Sequence, residues 1–260
     1  MQATTLGPNL TGAAVSPSAV DAMNDAADAL TPAMGIDRSE MKAQKMRFIA
    51  EAEAIGSVPR PPSLKGMITA GAALLQGSEP TLFLDKLGER LAYERTGVRL
   101  YEALILKYRA VEEAMGEPLP DAVPAQVSGT AHEAPEETLE RIRSEELAHF
   151  SLLCAAMEKL GGDPTAQTPC ADVAAVAASG FMQVLNDPRT TLAQCLNAML
   201  AVELADNAGW ELLADLAEDA GQDDMARQFL AALAQEQEHL VIVKGWLKAI
   251  MHDDPKPALV

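Results

Sequence analysis

Glu146-Leu147-Ala148-His149 sets a glutamate and a histidine three residues apart inside a long helical pattern, and Glu236-Gln237-Glu238-His239 repeats the spacing. Residues at i and i+3 share a helix face, so each pair can grip one ion. A single pair of this kind is weak evidence. Two carry weight, because the chain has only four histidines: His132, His149, His239 and His252.

Working outward, four long helical patterns contain or flank these pairs. The first runs from about Thr81 to Met115 and stops at Gly116. A loop with Pro118, Pro120, Pro124 and Gly129 leads to the second, from Pro135 to Gly161-Gly162. The third is expected to open at Asp187-Pro188, an N-cap followed by proline at the first helical position, and to reach Ala220 before Gly221. The fourth starts at Asp223 or Asp224 and extends to Met251. Each spans roughly 30 residues, or about 45 Å, and soluble helices of that length normally bundle. Residues 163–187 form a connection long enough to cross such a bundle lengthwise, with a short helix over Ala171–Leu185. The tight turn at Gly221 makes the third and fourth helices antiparallel. A repeat solenoid is the other all-helical solution, but no short repeat period is present.

The first and third helices each add a carboxylate. Glu94 lies in Leu91-Ala-Tyr-Glu-Arg-Thr-Gly, and Glu203 stands alone among Leu200, Ala201, Val202, Leu204 and Ala205. A lone carboxylate in an apolar stretch is costly to bury without a partner. One glutamate from each of two helices, plus Glu-x-x-His from each of the other two, is the general ligand pattern of di-iron carboxylate bundles. Four glutamates balance the charge of two divalent ions while both imidazoles stay neutral. Without the ions, the site would hold four crowded carboxylates, and some of them would have to protonate. Carboxylate and imidazole ligands suit iron or manganese better than copper or structural zinc.

On these residues, the chain from Thr81 to Met251, about two-thirds of its length, resembles the ferritin-like superfamily near the bacterioferritin and rubrerythrin branch. The resemblance implies an all-α four-helix bundle with a long crossover connection and two bound iron ions. It implies that Glu146 and Glu236 bridge the ions, that Glu94 and His149 serve one, and that Glu203 and His239 serve the other. Tyr101 follows Glu94 by seven residues, where the family often has a tyrosine, and Trp210 has the matching offset from Glu203. Asp206 stands where the rubrerythrin branch has a second glutamate. Tyr101 and Asp206 are therefore the candidates for a catalytic part, with core packing the competing role for Tyr101 and Trp210, and a solvent-facing charge the competing role for Asp206. Departures are also clear. No rubredoxin-type cysteines are present, the chain carries an N-terminal extension, and Glu145 and Gln235 replace the aspartates that often precede each Glu-x-x-His. Both can still accept a hydrogen bond from histidine.

Outside this region, Ser16–Leu30 and Arg38–Ile55 predict two short helices separated by Thr31, Pro32 and Gly35, with Pro59, Pro61 and Pro62 stopping the second. An apolar stretch, Met67–Leu75, follows. The organisation expected is a helical extension over residues 1–80 packing on the main body, the bundle over 81–252, and a tail over 253–260. His132 and His252 read as surface residues, and Cys154 and Cys195 as small core residues.

The 260 residues are 48% hydrophobic, 22% charged and only 4% aromatic, a mixture that builds a helical core. A net charge of −18 opposes sequence-independent binding to nucleic acid or an anionic membrane. The longest apolar run, Gly66–Ser78, is too short for a membrane span. Three cysteines without a CxxC pair do not form a disulfide framework, and a cytoplasmic location is expected. The function expected is that of a di-iron oxidoreductase taking O₂ or peroxide, with ferrous iron or an organic molecule as its other substrate. A non-enzymatic metal-binding protein and a dimanganese catalase-like enzyme are the alternatives, and a homodimer is left open.

Overall fold

The computed structural model describes residues 7–31, 38–60, 80–121 and 133–253. Among them the protein is all-helical, with α1 (Pro17–Leu30), α2 (Ser39–Glu51), α3 (Pro80–Met115), α4 (Pro135–Lys159), α5 (Pro169–Asn186), α6 (Leu192–Asp219) and α7 (Asp223–Asp253). The expectations for Met67–Leu75, His132 and the distal half of the Pro-rich loop fall outside the described residues.

Two compact units divide the chain. One contains α1 and α2, neither of which buries a side chain. The other contains α3 to α7 and both apolar cores.

The ends of the long helices have local causes. Gly161 and Gly221 have φ of +83° and +66°, the left-handed turn that ends a helix at no steric cost to glycine. Each is followed by a closing bond, Gly162 N–H to the Met157 carbonyl at 2.9 Å and Gln222 N–H to the Ala217 carbonyl at 2.8 Å. The start of α6 corrects the reading at Asp187-Pro188. Asp187 ends α5 instead, and its side chain accepts from the Arg189 N–H at 2.9 Å in a turn. Thr191 is the true N-cap, in a reciprocal capping box with Gln194.

Helix order and direction follow from the apolar clusters. One joins Leu100, Leu104 and Tyr108 of α3, Leu139 and Ile142 of α4, Leu196 and Met199 of α6, and Val243 and Trp246 of α7. The other joins Phe83, Leu87 and Leu91 of α3, Leu153 and Met157 of α4, Trp210 and Leu213 of α6, and Met225 and Phe229 of α7. In chain direction, α3 and α7 therefore run from the second cluster to the first, and α4 and α6 run the opposite way. α3 packs on α4, α5 and α6, and α7 packs on α6 and α4. Parallel α4 and α6 need a connection that returns along the body, and α5 supplies it. At its start the Cys170 N–H donates to the Asp85 carboxylate at 2.9 Å; past its end Lys107 holds the Asp187 carbonyl at 2.8 Å. Among the described residues no helix is long and apolar enough to cross a membrane.

Candidate metal centre

Between the two apolar clusters, each long helix has a short polar interval. Glu94 lies on α3, Glu146 and His149 on α4, Glu203 and Asp206 on α6, and Glu236 and His239 on α7. None is more than 2% exposed. The helix pairing thus converges five carboxylates and two imidazoles inside a layer sealed on both sides by apolar side chains.

Glu146, Glu203, Glu236 and His239 each bring a ligand atom within 4.8 Å of the others, as do Glu94, His149 and Glu236. A third grouping joins Glu94, Glu146, Asp206 and Glu236. These groups could hold a metal ion. Glu236 is common to all three, and Glu146 belongs with either terminal glutamate.

Both imidazoles turn Nδ1 toward the carboxylates. His149 Nδ1 is 2.6 Å from Glu236 Oε1 and 3.7 Å from Glu94 Oε2. His239 Nδ1 is 3.1 Å from Glu236 Oε2 and 3.5 Å from Glu146 Oε1. The Nε2 atoms point the other way, onto acceptors exchanged between α4 and α7. His239 Nε2 meets Glu145 at 2.8 Å, and His149 Nε2 meets Gln235 Oε1 at 2.9 Å. An Nε2–H donated outward leaves the Nδ1 lone pair free for an ion. Arg141 clamps Glu145 at 2.9 Å and ties it to Glu238 of α7 at 3.0 Å.

The donor set fits a cation better than it fits itself. Glu94 Oε2, Glu146 Oε2 and Glu203 Oε2 are buried and accept no hydrogen bond. His149 Nδ1 and Glu236 Oε1, though close, do not meet in hydrogen-bonding geometry. Buried acceptors left unmatched cost on the order of 1–3 kcal/mol each. Without a cation, protons take its place. Burial, then the neighbouring Glu236, raises Glu203 to about 8. Burial, Glu236 and Glu94 raise Glu146 well above the carboxylate range. Burial alone would lower His149, but Glu236 and Glu94 bring it to about 10. Burial would raise Glu236, but the two histidines hold it down at about 2.

Tyr101 and Trp210 are fully buried against the site. The Tyr101 hydroxyl donates to Glu203 Oε1, and its ring stands edge-on to His239. Trp210 packs edge-on against His149 with ring centroids 5.4 Å apart. Asp206 is buried and is not a solvent-facing charge. It forms an ion pair with Arg90, which also donates to Glu94 Oε1 at 2.6 Å. His252 is exposed, Cys195 is buried, and Cys154 is partly buried.

Arg90 is the residue that sequence reasoning missed. Its signal was the four-residue spacing before Glu94, which puts both on one helix face. Two helical glycines make room for the charges. A Cβ on Gly97 would lie 2.1 Å from Glu146 Oε2, and one on Gly209 would lie 2.4 Å from the Arg90 guanidinium. Asn207 stitches α6 to α7 by donating to the carbonyls of Glu203 and Glu236 at 2.9 and 3.0 Å.

No family model, curated protein or solved structure significantly matches the chain. The case for function rests on the chemistry of this layer.

Proposed function

We propose that the chain is a ferritin-like di-iron carboxylate protein acting as a cytoplasmic oxidoreductase on O₂ or peroxide. One observation carries the reading: four glutamates and two histidines, drawn from four helices, share a buried layer in which several of their ligand atoms lack partners. Glu94, Glu146, His149, Glu203, Glu236 and His239 would hold two ions. When bound, ferrous iron supplies electrons to the oxidant.

The chain's own residues prepare that chemistry. Glu145 and Gln235 fix the ring orientation and tautomer of the histidines. Tyr101 holds Glu203 from one side while leaving Glu203 Oε2 open. Leu91, Leu153, Val202 and Phe229, from the apolar layers above and below, keep bulk water out and strengthen every charge interaction inside.

The test is anaerobic Fe²⁺ loading followed by a pulse of O₂ or of peroxide, with rates compared against free Fe²⁺ in the same buffer. The reading predicts stoichiometric binding and oxidation well faster than the free ion. Stoichiometric binding without faster oxidation would leave a metal-binding protein. Preference for Mn²⁺ with peroxide breakdown would favour the dimanganese enzyme.

A further inference from the structure

The two halves of the polar layer are built from unlike parts. Glu203 accepts from the neutral hydroxyl of Tyr101, and its companion His239 is backed by the carboxylate of Glu145. Glu94 instead accepts from the guanidinium of Arg90 at 2.6 Å, and its companion His149 is backed by the neutral amide of Gln235.

From this we propose that Arg90 makes the two metal positions unequal, so that the first ion binds at Glu203 and His239 and the second, more weakly, at Glu94 and His149. The inference rests on the two-ion reading above. Its physical basis is charge. An imidazole whose Nε2–H faces a carboxylate is a stronger donor than one facing an amide. A glutamate already engaged by a guanidinium has less negative charge to offer. The guanidinium cannot shed its proton at any working pH, so its hold on Glu94, shared with Asp206, competes permanently with any ion that glutamate would bind. Asp206 keeps Arg90 in place without separating it from Glu94. Gly209 leaves the space the guanidinium occupies, and the Tyr93 ring lies under it at 4.5 Å. Arg90 is thus a built part of the layer, 3% exposed. With Asp206 and the four glutamates ionised, Arg90 brings the layer to a formal −4, which two divalent ions neutralise. Arg90 is a positioning residue that sets the order of filling.

The experiment is titration of the metal-free full-length protein with Co²⁺ under anaerobic conditions, followed by calorimetry and visible absorption. Two binding events per chain are expected, with dissociation constants at least about tenfold apart. Glu203→Gln should remove the tighter event, and Glu94→Gln should leave it in place. The double variant Arg90→Gln/Asp206→Asn, which retains the four glutamates, should narrow the gap between the two constants by at least about threefold, the remainder being the unequal backing of the two histidines. If that variant does not fold by circular dichroism, the two single variants decide the order on their own. Equal affinities in the parent, loss of the tighter event in Glu94→Gln, or an unchanged gap in a folded double variant would overturn the inference and leave the two-ion reading standing. Failure of the parent to bind Co²⁺ would overturn both.

Discussion

The Tyr101 hydroxyl reaches from α3 to Glu203 on α6 and donates to its Oε1. It is the hydrogen bond given to a glutamate that lies fully buried and whose second oxygen accepts none. Tyr101→Phe should therefore destabilise the metal-free protein by about 1–3 kcal/mol, the cost of stranding a buried acceptor. Denaturant unfolding measures this. With metal bound the difference should shrink, because a cation then meets Glu203. No loss in the metal-free protein would mean that the side chain serves packing alone, and an equal loss with and without metal would mean that no cation meets Glu203.

Gly97 separates folding from metal binding. Alanine there favours the helix by about 1 kcal/mol, yet its methyl would take the position of Glu146 Oε2. The carboxylate is the end of a flexible side chain and can turn away. Gly97→Ala should keep metal-free stability to within about 1 kcal/mol while weakening metal binding by about tenfold or more. Parallel thermal melts and metal titrations check both halves, and unchanged affinity would remove Glu146 from the site.

Arg90 is held between Glu94 and Asp206. Arg90→Gln removes one cation and leaves two buried carboxylates facing each other. Breaking a buried pair in this way typically costs about 3–5 kcal/mol. The paired change Arg90→Gln/Asp206→Asn should recover much of that loss. A double-mutant cycle on unfolding free energy measures the coupling, and simple additivity would show that the pair contributes no interaction.

Metal-free stability should fall from pH 5 to pH 9. Glu203, raised to about 8, keeps a proton that the unfolded chain releases above 4.5. Its contribution is complete below pH 4.5 and is lost as pH rises through about 8. His149, raised to about 10 against an ordinary 6.5, contributes fully below pH 6.5 and loses that contribution by about pH 10. Glu236, lowered to about 2, acts in the opposite sense, its contribution fading as pH drops from 4.5 through about 2. A maximum near pH 5 follows, with a decline of up to about 1.4 kcal/mol per pH unit for each extra proton the native state holds. Because metal replaces those protons, added metal should stabilise the protein more at pH 8 than at pH 5. A metal increment independent of pH would contradict this.

Much of this architecture was legible because helix spacing is rigid. Glu146 with His149, and Glu236 with His239, share a face by geometry alone, and the apolar neighbours of Glu203 marked its burial in advance. Gly161 and Gly221 announced their helix ends. Asp187-Pro188 misled because an aspartate followed by proline suits a turn as well as a helix start, and the deciding contact, to the Arg189 N–H, is not a pattern in the chain. Asp206 was ambiguous because its partner, Arg90, is far away in sequence on another helix. Gly97 and Gly209 carried no signal, since a helical glycine shows its purpose only when the side chain filling its space is known.

The central claim is that these four helices hold two metal ions between them. Diffraction at the iron absorption edge, on crystals of Fe²⁺-loaded protein prepared without oxygen, tests it most directly. Two anomalous peaks should appear, both in contact with Glu236, one beside Glu203 and His239 and the other beside Glu94 and His149. Stoichiometric iron bound elsewhere, or a layer that stays free of anomalous density at saturating Fe²⁺, would contradict the account.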